Sequence, residues 1–287
     1  MEEIGIESWT GPFDPATRER AQEALERGLV LFFPRLPFTL ADSEKDFLSA
    51  DVANGKSKNI SLDPMTGKIQ GTALSGARAE ALAAMIERFG AGATRLVHEL
   101  LPNYADVERA RTSYRPVEVK GRAYSRISDD RLLHVDAFPS RPMRGRRILR
   151  FFSNVAPQGA RRWQVGEPFE NFARAFLPRL RNPVPGKAWL FERLGVTRGR
   201  RSRYDEMMLA LHDAAKCNVR YQQTAPHHAL DFPPGCSWMV YTDQVLHAAL
   251  GGEFALEQTF HFDVAAMGAP ERAPLKVLER LSGRALV

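Results

Sequence analysis

The stretch LLHVDAFPSRPMRGRRIL, residues 132–149, places a histidine and an aspartate two positions apart and follows them with several arginines. In an extended strand, side chains at positions i and i+2 point to the same face, so His134 and Asp136 can meet at one point while Val135 packs on the other side. A histidine and a carboxylate are two of the three ligands in the two-histidine, one-carboxylate set that holds iron(II). The spacing therefore predicts a metal site that needs one more histidine.

Among the seven histidines, His247 has the most suitable surroundings. It follows PPGCSWMVYTDQVL, residues 233–246, in which a Pro-Gly turn precedes a β-prone run and a Thr-Asp-Gln turn. This pattern predicts a hairpin whose next strand opens with His247. A lone histidine at a strand start is more often a satisfied core residue, but the upstream His-x-Asp segment favours a ligand. We predict that His134, Asp136 and His247 bind Fe(II).

Composition sets the class of protein. The chain has 287 residues, 44% hydrophobic and 26% charged, which is typical of a folded globular protein rather than a disordered or fibrous one. The N-terminus lacks the features of a secretory signal, and no run approaches the roughly eighteen apolar residues of a membrane span. Cys217 and Cys236 fit neither a CxxC nor a zinc-ligand spacing, which favours a reducing compartment. We expect a cytoplasmic protein.

The order of patterns predicts helices first and a β-rich core second. A capped helix is expected at 14–28, and a second helical region is expected at about 76–101 with a Gly-Ala-Gly break near 90–92. After Pro102, short β-prone runs separated by turns predict a sandwich or barrel, interrupted by one inserted helix at 202–216 and followed by a C-terminal helix. The expected strands include SYRPVEV, LLHVDAF, ILRFFSNV, KAWLFERL, SWMVYTDQ and FALEQTFHFD. We predict one domain over 1–287, with a support region at 1–109, the β core at 110–265 and a helical tail at 266–287.

Arginine carries most of the excess positive charge. The formal net charge is +6, from 40 Lys and Arg against 34 Asp and Glu. Arginine pairs with carboxylates and phosphates through two hydrogen bonds, so its clusters favour an anionic partner, although a solvated surface is the alternative for any single residue. No zinc finger, helix-turn-helix or RNP-like strand accompanies them, and we expect no nucleic-acid partner. The clusters comprise Arg141, Arg144, Arg146, Arg147 and Arg150, and Arg198, Arg200, Arg201 and Arg203.

Arg150 is the candidate for binding a cosubstrate. A metal held by three protein ligands keeps about three positions open, which suits a bidentate 2-oxo acid together with O2. 2-Oxoglutarate also needs a cation for its far carboxylate. Arg150 lies within the apolar strand ILRFF, where a charge is costly unless an anion pairs with it. An internal salt bridge is the alternative. Arg115, in SYRPVEV, is a second and weaker candidate.

Three stretches together resemble a known family. They are LLHVDAFPSRPMRGRRILRFFSNV, WQVGEPFE and WMVYTDQVLHAALGGEFALEQTFHFD, and they resemble the Kdo 3-hydroxylases of the iron(II)/2-oxoglutarate-dependent dioxygenase superfamily, where Kdo is 3-deoxy-D-manno-oct-2-ulosonic acid. The similarity extends over about residues 110–265, with a fainter match before it. HVDAFPSRP together with VYTDQVLHA is much more specific than an isolated His-x-Asp…His pattern.

The resemblance implies a double-stranded β-helix, or jelly-roll, with helices packed outside it. It also implies hydroxylation at C3 of a Kdo residue on Kdo-lipid A to give D-glycero-D-talo-oct-2-ulosonic acid. His134, Asp136 and His247 match the metal positions of the family. In the broader superfamily an arginine or lysine for 2-oxoglutarate often follows the distal histidine by about ten residues. This chain has Gln258 there, so Gln258 is a further cosubstrate candidate and the positive charge falls to Arg150.

The arginines near the metal segment would then face the substrate. Kdo carries a carboxylate and lipid A carries phosphates, so we predict substrate contacts from Arg141, Arg144, Arg147 and Arg162. Trp163 is a candidate for the mouth of the same pocket, with a packing role as the alternative. The same arginines would give peripheral, salt-sensitive contact with the inner face of the inner membrane.

Other functions remain open on the sequence alone. A 2-oxoglutarate hydroxylase of another anionic substrate would use the same metal ligands. A jelly-roll module that binds a sugar or phosphate without a redox metal is an alternative of a different class. A cupin-like isomerase or zinc hydrolase would leave Arg150 without an anion. The oligomeric state is not indicated by any pattern in the chain.

Overall fold

The structure is a computed structural model that describes residues 1–104, 106–118, 125–180 and 186–287. These residues form eleven strands and seven α-helices, together with short 3-10 turns. The strands are β1 Glu2–Glu3, β2 Leu31–Phe33, β3 Ile60–Leu62, β4 Ile69–Gln70, β5 Glu108–Arg115, β6 Arg147–Asn154, β7 Arg161–Gly166, β8 His227–Phe232, β9 Ser237–Tyr241, β10 His247–Gly251 and β11 Ala255–Phe262. The helices are α1 Pro15–Glu26, α2 Gly76–Leu100, α3 Phe169–Phe176, α4 Lys187–Arg193, α5 Arg203–Cys217, α6 Val219–Thr224 and α7 Pro274–Ser282.

Two antiparallel sheets form the core. The larger sheet has the order β1-β2-β9-β6-β11-β5-β3-β4, and the smaller has the order β10-β7-β8. Every strand pair is antiparallel except β1 with β2. Aromatic side chains join the sheets: the ring of Trp163 on β7 lies 5.1 Å from Phe152 on β6 and 5.8 Å from Trp238 on β9. This is the two-sheet architecture expected of a jelly-roll.

Helix α2 covers the outer face of the larger sheet. Its buried residues recur at the helical spacing and include Leu82, Met85, Ile86 and Phe89. The predicted break near 90–92 is wrong, because the helix runs unbroken from Gly76 to Leu100. Gly90 instead allows close packing: a Cβ at this position would lie 2.7 Å from Gln258 Oε1 on β11. The glycine therefore marks contact with the sheet rather than the end of a helix.

Three further predicted helices are present, one near each end of the chain and one inserted between strands. Asp14 caps α1 by accepting a hydrogen bond from the Thr17 amide at 2.9 Å, and Pro15 occupies the first helical position. The expected inserted helix appears as α5, whose Ser202 and Asp205 form a capping box. The C-terminal helix appears as α7. The insertion between β7 and β8 is larger than predicted, because it contains α3, α4 and α6 as well as α5.

Two predicted strands are wrong. KAWLFERL forms helix α4, and Trp189 and Leu190 are exposed on it rather than buried in a sheet. LLHVDAF has no continuous strand; it is extended but makes only one isolated bridge, between His134 and His247. Its backbone hydrogen bonds go to two separate places in the chain. The His134 amide donates to His247 O, and the Asp136 amide donates to Thr242 O at 2.7 Å. Of SYRPVEV, β5 includes residues up to Arg115, and Val119 lies outside the described residues.

The N-terminal region and the core share one sheet. Strands β1 and β2 extend it beside β9, and β3 and β4 extend it beside β5. The division into support region, core and tail within one domain stays a prediction. Within the described ranges, no helix combines the length and the apolar character that crossing a bilayer requires.

Candidate metal centre and cavity

His134, Asp136 and His247 come together as predicted. One ligand atom from each lies within 4.8 Å of the others. The bridge between the extended segment at His134 and the start of β10 at His247 brings the residues together, with the His134 amide donating to His247 O at 3.1 Å and the reverse bond at 2.9 Å. The ring centroids of the two histidines are 4.6 Å apart. Two residues from one extended segment and a third from a neighbouring strand thus form one cluster.

The protonation of both rings suits a metal ion. Nδ1 of His134 lies 2.7 Å from Leu132 O, and Nδ1 of His247 lies 2.9 Å from Val245 O. A carbonyl oxygen can only accept, so each Nδ1 carries the proton and each Nε2 keeps its lone pair for a ligand bond. Burial lowers the pKa of His134 well below its usual value and lowers that of His247. Both rings are therefore neutral at neutral pH, as metal binding requires.

Asp136 supplies the negative charge. Burial by itself raises the pKa of this carboxyl, but the Arg150 guanidinium outweighs it and holds the pKa well below its usual range. Asp136 Oδ2 lies 2.7 Å from Arg150 Nη2 in an ion pair, yet it is buried and accepts no well-aligned hydrogen bond from the described residues. This buried, ionised carboxylate, together with two imidazole Nε2 atoms, fits a divalent transition metal.

The cluster opens into a cavity of about 460 Å³ between the two sheets. Its described lining contains six arginines but only three carboxylates, an excess of three positive charges when the histidines are neutral. Such a cavity favours ligands with several negative charges. The arginines are Arg111, Arg115, Arg141, Arg150, Arg161 and Arg198, and the carboxylates are Asp130, Asp136 and Glu257.

Glu257 on β11 lies between the two predicted cosubstrate arginines. Arg150 Nη1 donates to Glu257 Oε1 at 2.7 Å, and Arg115 Nη2 donates to Glu257 Oε2 at 2.7 Å. Burial by itself raises the pKa of Glu257, but Arg115 and then Arg150 lower it, so the carboxylate is ionised. Arg115 also lies 3.8 Å from Asp130. Both arginines line the cavity, as predicted, and internal ion pairs hold them there.

Arg161 on β7 lines the same part of the cavity with less compensation. Its Nη1 donates to Gly252 O, a neutral acceptor, at 2.5 Å. Burial, and then repulsion from Arg115, lowers the pKa of Arg161 to about 9. Beside it, Trp163 is buried and stacks on His247 with ring centroids 5.2 Å apart. Trp163 lines the cavity and also packs in the core, so it has both of the roles that the sequence left as alternatives.

Gln258 does not face the cavity, which corrects its assignment to the cosubstrate. Its Oε1 accepts from Thr112 Oγ1 at 2.5 Å, and its Nε2 donates to Ala110 O at 3.0 Å, on the side that packs against α2. The apolar face of β11 lies under the helix, whereas the polar face with Glu257, Thr259 and His261 lines the cavity. Both faces of this strand are buried, so hydrophobic alternation identified the wrong one as the face toward the site.

Three of the four predicted substrate arginines lie outside the cavity lining, two of them because strand alternation directs their side chains to the opposite face. Arg147 is three positions from Arg150 on β6 and points to the other face, where it is fully buried and pairs with Asp243. Arg162 follows Arg161 and is half-exposed outside the cavity lining. Arg144 is exposed, with a positive φ of 51°, and does not line the cavity either. Arg141 does line it and pairs with Glu108.

Several lining residues were not identified from the sequence. They come from elements distant in the chain or from the polar alternation of β11, which is the signal that would have found Glu257, Thr259 and His261. His212 on α5 lies next to the metal cluster, with its ring 5.4 Å from that of His134. Asp130 lines the cavity and its pKa is lowered to about 2: burial raises it, but Arg115 and Lys58 outweigh burial.

His261 makes stability depend on pH. Burial, followed by the charge of Arg141, lowers its pKa to about 3 from the usual 6.5. Between pH 6.5 and pH 3, His261 is therefore protonated in the unfolded chain but neutral in the folded chain. The free energy of unfolding consequently falls as the pH decreases from 6.5 toward 3. We expect His261→Phe to remove up to about 1.4 kcal/mol of this loss per pH unit. Urea unfolding of both proteins at pH 7 and pH 5 measures it, and equal losses would show that His261 does not titrate in this way.

The chain is similar to known proteins over nearly its whole length. The family model for 3-deoxy-D-manno-oct-2-ulosonic acid (Kdo) hydroxylase matches residues 8–285. A crystal structure of the Kdo hydroxylase KdoO, a non-heme Fe(II) alphaketoglutarate dependent dioxygenase, in complex with alphaketoglutarate and Fe(III), is 44% identical, with a TM-score of 0.95 over 99% of this chain and 96% of that chain. The KdoO complex with cobalt(II) is 45% identical, with a TM-score of 0.96 over the same shares. No curated protein sequence matches the chain.

These matches confirm the predicted jelly-roll, the predicted class of enzyme and the resemblance seen in the sequence. The family model covers nearly the whole chain, and the solved structures cover the cavity and both sheets. The protein belongs to the Kdo hydroxylase family.

Proposed function

We propose that this protein is an iron(II)- and 2-oxoglutarate-dependent dioxygenase that hydroxylates C3 of a Kdo residue on Kdo-lipid A, giving D-glycero-D-talo-oct-2-ulosonic acid. The observation that carries the proposal is the convergence of His134, Asp136 and His247 on an arginine-rich cavity, in a member of the Kdo hydroxylase family. Iron(II) bound by these residues supplies the activation of O2 at the expense of 2-oxoglutarate.

The residues of the chain hold and orient the reactants. The Nδ1 hydrogen bonds of His134 and His247 fix both rings, so their Nε2 atoms point to one place. Arg150 holds Asp136 from the other side. Trp163, stacked on His247, closes the cavity next to the metal ligands and limits the access of water. The chain therefore provides a rigid, partly dry site in which one C–H bond can be aimed at the metal.

Charge balance favours two anionic ligands together. The lining carries an excess of three positive charges, of which two are paired with carboxylates outside the lining, Arg141 with Glu108 and Arg111 with Asp63, and a bound Fe(II) adds two. 2-Oxoglutarate neutralises two, and the carboxylate and phosphates of a Kdo-lipid A neutralise the rest. A neutral sugar would leave the positive charge that 2-oxoglutarate does not neutralise without an anion, at a cost in binding free energy.

Arg161 is the residue we assign to the far carboxylate of 2-oxoglutarate, with Arg115 and Arg150 beside it. We expect Arg161→Gln to raise the Kd for 2-oxoglutarate by at least about tenfold, because a charge-assisted hydrogen bond contributes about 1.5–3 kcal/mol. Without cosubstrate the variant should be as stable as the wild type or more so, since a poorly compensated charge is removed. Calorimetric titration and thermal melts measure the two effects.

Arg162→Gln is the matched control, because Arg162 is the neighbour on the half-exposed face. It should leave the Kd for 2-oxoglutarate unchanged. Equal binding by the wild type and Arg161→Gln would remove Arg161 from the cosubstrate site.

The experiment that tests the function has two stages. The protein with Fe(II) and 2-oxoglutarate under anaerobic conditions should develop a weak visible charge-transfer band that shifts when Kdo-lipid A is added. After O2 is admitted, mass spectrometry should find one oxygen atom added to Kdo, with fragmentation assigning it to C3. A folded protein that forms no band is not a 2-oxoglutarate-dependent dioxygenase, and a band with no Kdo product would direct the search to another anionic substrate.

We also propose that the substrate is taken from an anionic membrane surface. Four apolar residues near α4 are 45–65% exposed, namely Trp189, Leu190, Leu194 and Val196. Three exposed arginines adjoin them in the sequence, namely Arg193, Arg198 and Arg200. Arg198 also lines the cavity. Apolar side chains together with arginines at a cavity mouth suit insertion at the level of anionic headgroups.

Membrane contact predicts salt-sensitive binding to vesicles. We expect the protein to sediment with vesicles containing phosphatidylglycerol at low salt and to be released as the salt concentration rises, because each basic residue near the surface contributes about 1 kcal/mol. Leu194→Ser together with Trp189→Ser should weaken binding further. Met65→Ser, at a residue that is 90% exposed in a turn of the N-terminal region, is the control. Equal binding by both variants would contradict an α4 contact.

A further inference from the structure

The cavity has a second end, beyond the cluster of His134, Asp136 and His247. It lies along β11 beyond Glu257: four residues later, about 13 Å along an extended strand, His261 lines the cavity. Thr259, on the same face, lies between them. Phe138 connects the two ends, since its ring is 5.9 Å from the Arg150 guanidinium and 6.0 Å from the His261 ring. We call Phe138, Ser140, Arg141, Arg198, Thr259 and His261 the outer subsite.

His261 is a buried side chain without a hydrogen-bond partner. Its side chain is 2% exposed, and neither ring nitrogen makes a hydrogen bond to any part of the chain that the structure describes. The carboxylate of Glu108 lies 4.0 Å from Nδ1, beyond hydrogen-bond distance. Buried polar atoms are nearly always paired in folded proteins, so an unpaired imidazole at a cavity wall points to a ligand.

The arginines of the outer subsite carry a charge suited to an anion. Arg141 pairs with Glu108, and Arg146 donates to the same carboxylate at 2.6 Å while its Nε lies 3.4 Å from Asp263 Oδ1, so Arg141 shares its counter-ion with a second guanidinium group. Arg198 is placed by its backbone amide, which donates to Ser140 O at 2.9 Å. Among the described residues, no carboxylate lies within ion-pair distance of Arg198. The outer subsite therefore has positive charge in excess.

We propose that the outer subsite binds an acidic sugar, with Arg141 and Arg198 taking its oxyanion and His261 hydrogen-bonding the same sugar. The inference rests on the proposed function and assigns His261 as a positioning residue. A neutral imidazole can donate to a carboxylate or accept from a hydroxyl. The hydroxyls of Ser140 and Thr259 and the ring of Phe138 add polar and apolar contacts of the kind a carbohydrate offers. The sugar would be held at this end while its C3 faces the metal ligands.

The oxyanion has two sources in the substrate, the carboxylate of Kdo and the phosphate of lipid A. The position of the outer subsite in the same cavity as the metal ligands favours the carboxylate, because the carboxylate is attached to C2, the ring atom next to C3, whereas the phosphates of lipid A lie on another sugar. Comparing a phosphate-free Kdo disaccharide with Kdo-lipid A separates the two sources.

The test uses His261→Phe and His261→Gln in the full chain. Calorimetric titration with the Kdo disaccharide and with Kdo-lipid A gives Kd directly, with Co(II) and 2-oxoglutarate bound and O2 excluded. We expect His261→Phe to weaken binding of the disaccharide by at least tenfold and His261→Gln, which keeps a hydrogen-bonding group, to restore part of it. The Kd for 2-oxoglutarate and the thermal midpoint of His261→Phe should not worsen, since phenylalanine removes two unpaired nitrogens. His98→Phe, at an exposed position on α2, is the control.

The outcomes separate the possibilities. Weaker binding of both ligands supports recognition of the Kdo carboxylate, and weaker binding of Kdo-lipid A alone supports an oxyanion subsite for phosphate. Unchanged binding of both ligands by His261→Phe overturns the proposal. If the wild type itself neither binds nor hydroxylates Kdo, the proposed function fails. That result is distinct from one in which the wild type binds Kdo and His261→Phe binds it equally well.

Discussion

His247→Ala should bind Fe(II) more than about 100-fold more weakly than the wild type and should lose turnover. Loss of an outer-sphere partner alone typically costs 10–100-fold in metal affinity, and His247 is predicted to donate a ligand atom itself. Two ligands would remain, both on the segment around His134 and Asp136, and they cannot enclose an ion from two sides. Equilibrium dialysis with Co(II), followed by metal analysis, measures the affinity without a requirement for activity.

His247 is the more informative of the three ligands for this test. Asp136 also pairs with Arg150, so its substitution would disturb the cosubstrate arginines as well as the metal. His228→Ala is the matched control, because His228 is an exposed histidine on β8. It should keep the metal affinity of the wild type. One tightly bound Co(II) per chain in His247→Ala would exclude His247 from the ligand set.

Arg147→Leu should lower the free energy of unfolding by about 3–5 kcal/mol, because it leaves the carboxylate of Asp243 buried without its counter-ion. The two side chains are 0% and 1% exposed, and Arg147 Nε donates to Asp243 Oδ2 at 2.8 Å. Arg147 also donates to Gln244 Oε1 at 2.7 Å and lies over the Tyr241 ring at 3.9 Å. Urea unfolding monitored by circular dichroism measures the loss.

The exposed pair of Arg174 and Glu170 provides the comparison. Both side chains are well exposed, at 65% and 37%, so Arg174→Leu should change stability by no more than about 1 kcal/mol. The double variant Arg147→Leu/Asp243→Leu should recover much of the loss, because no uncompensated charge then remains. A loss of less than 1 kcal/mol in Arg147→Leu would show that Asp243 finds another partner. Retained affinity for Kdo-lipid A in a folded Arg147 variant would support its removal from the substrate contacts.

Local patterns predicted the elements that have strong local signals. The capped helix α1, the inserted helix α5 and the long helix α2 follow from caps and from the helical spacing of apolar residues. The metal ligands could be predicted because two of them need only strand spacing, and the third is marked by the hairpin turn before it. Helix α4 was mistaken for a strand because its aromatic and apolar residues fit both structures and their exposure depends on the surroundings.

The sequence by itself determined which residues share a face of each strand, but only the tertiary structure decided what each face contacts. On β6, Arg150 and Arg147 necessarily point in opposite directions; that one enters the cavity and the other pairs with Asp243 depends on which layer lies on each side. On β11, the apolar face with Gln258 packs under α2, and the polar face with Glu257 and His261 forms the cavity wall. A strand buried on both faces gives no outward direction in its sequence, since burial against a helix and burial against a ligand cavity both exclude bulk water. Long-range pairing of the strands supplies that direction.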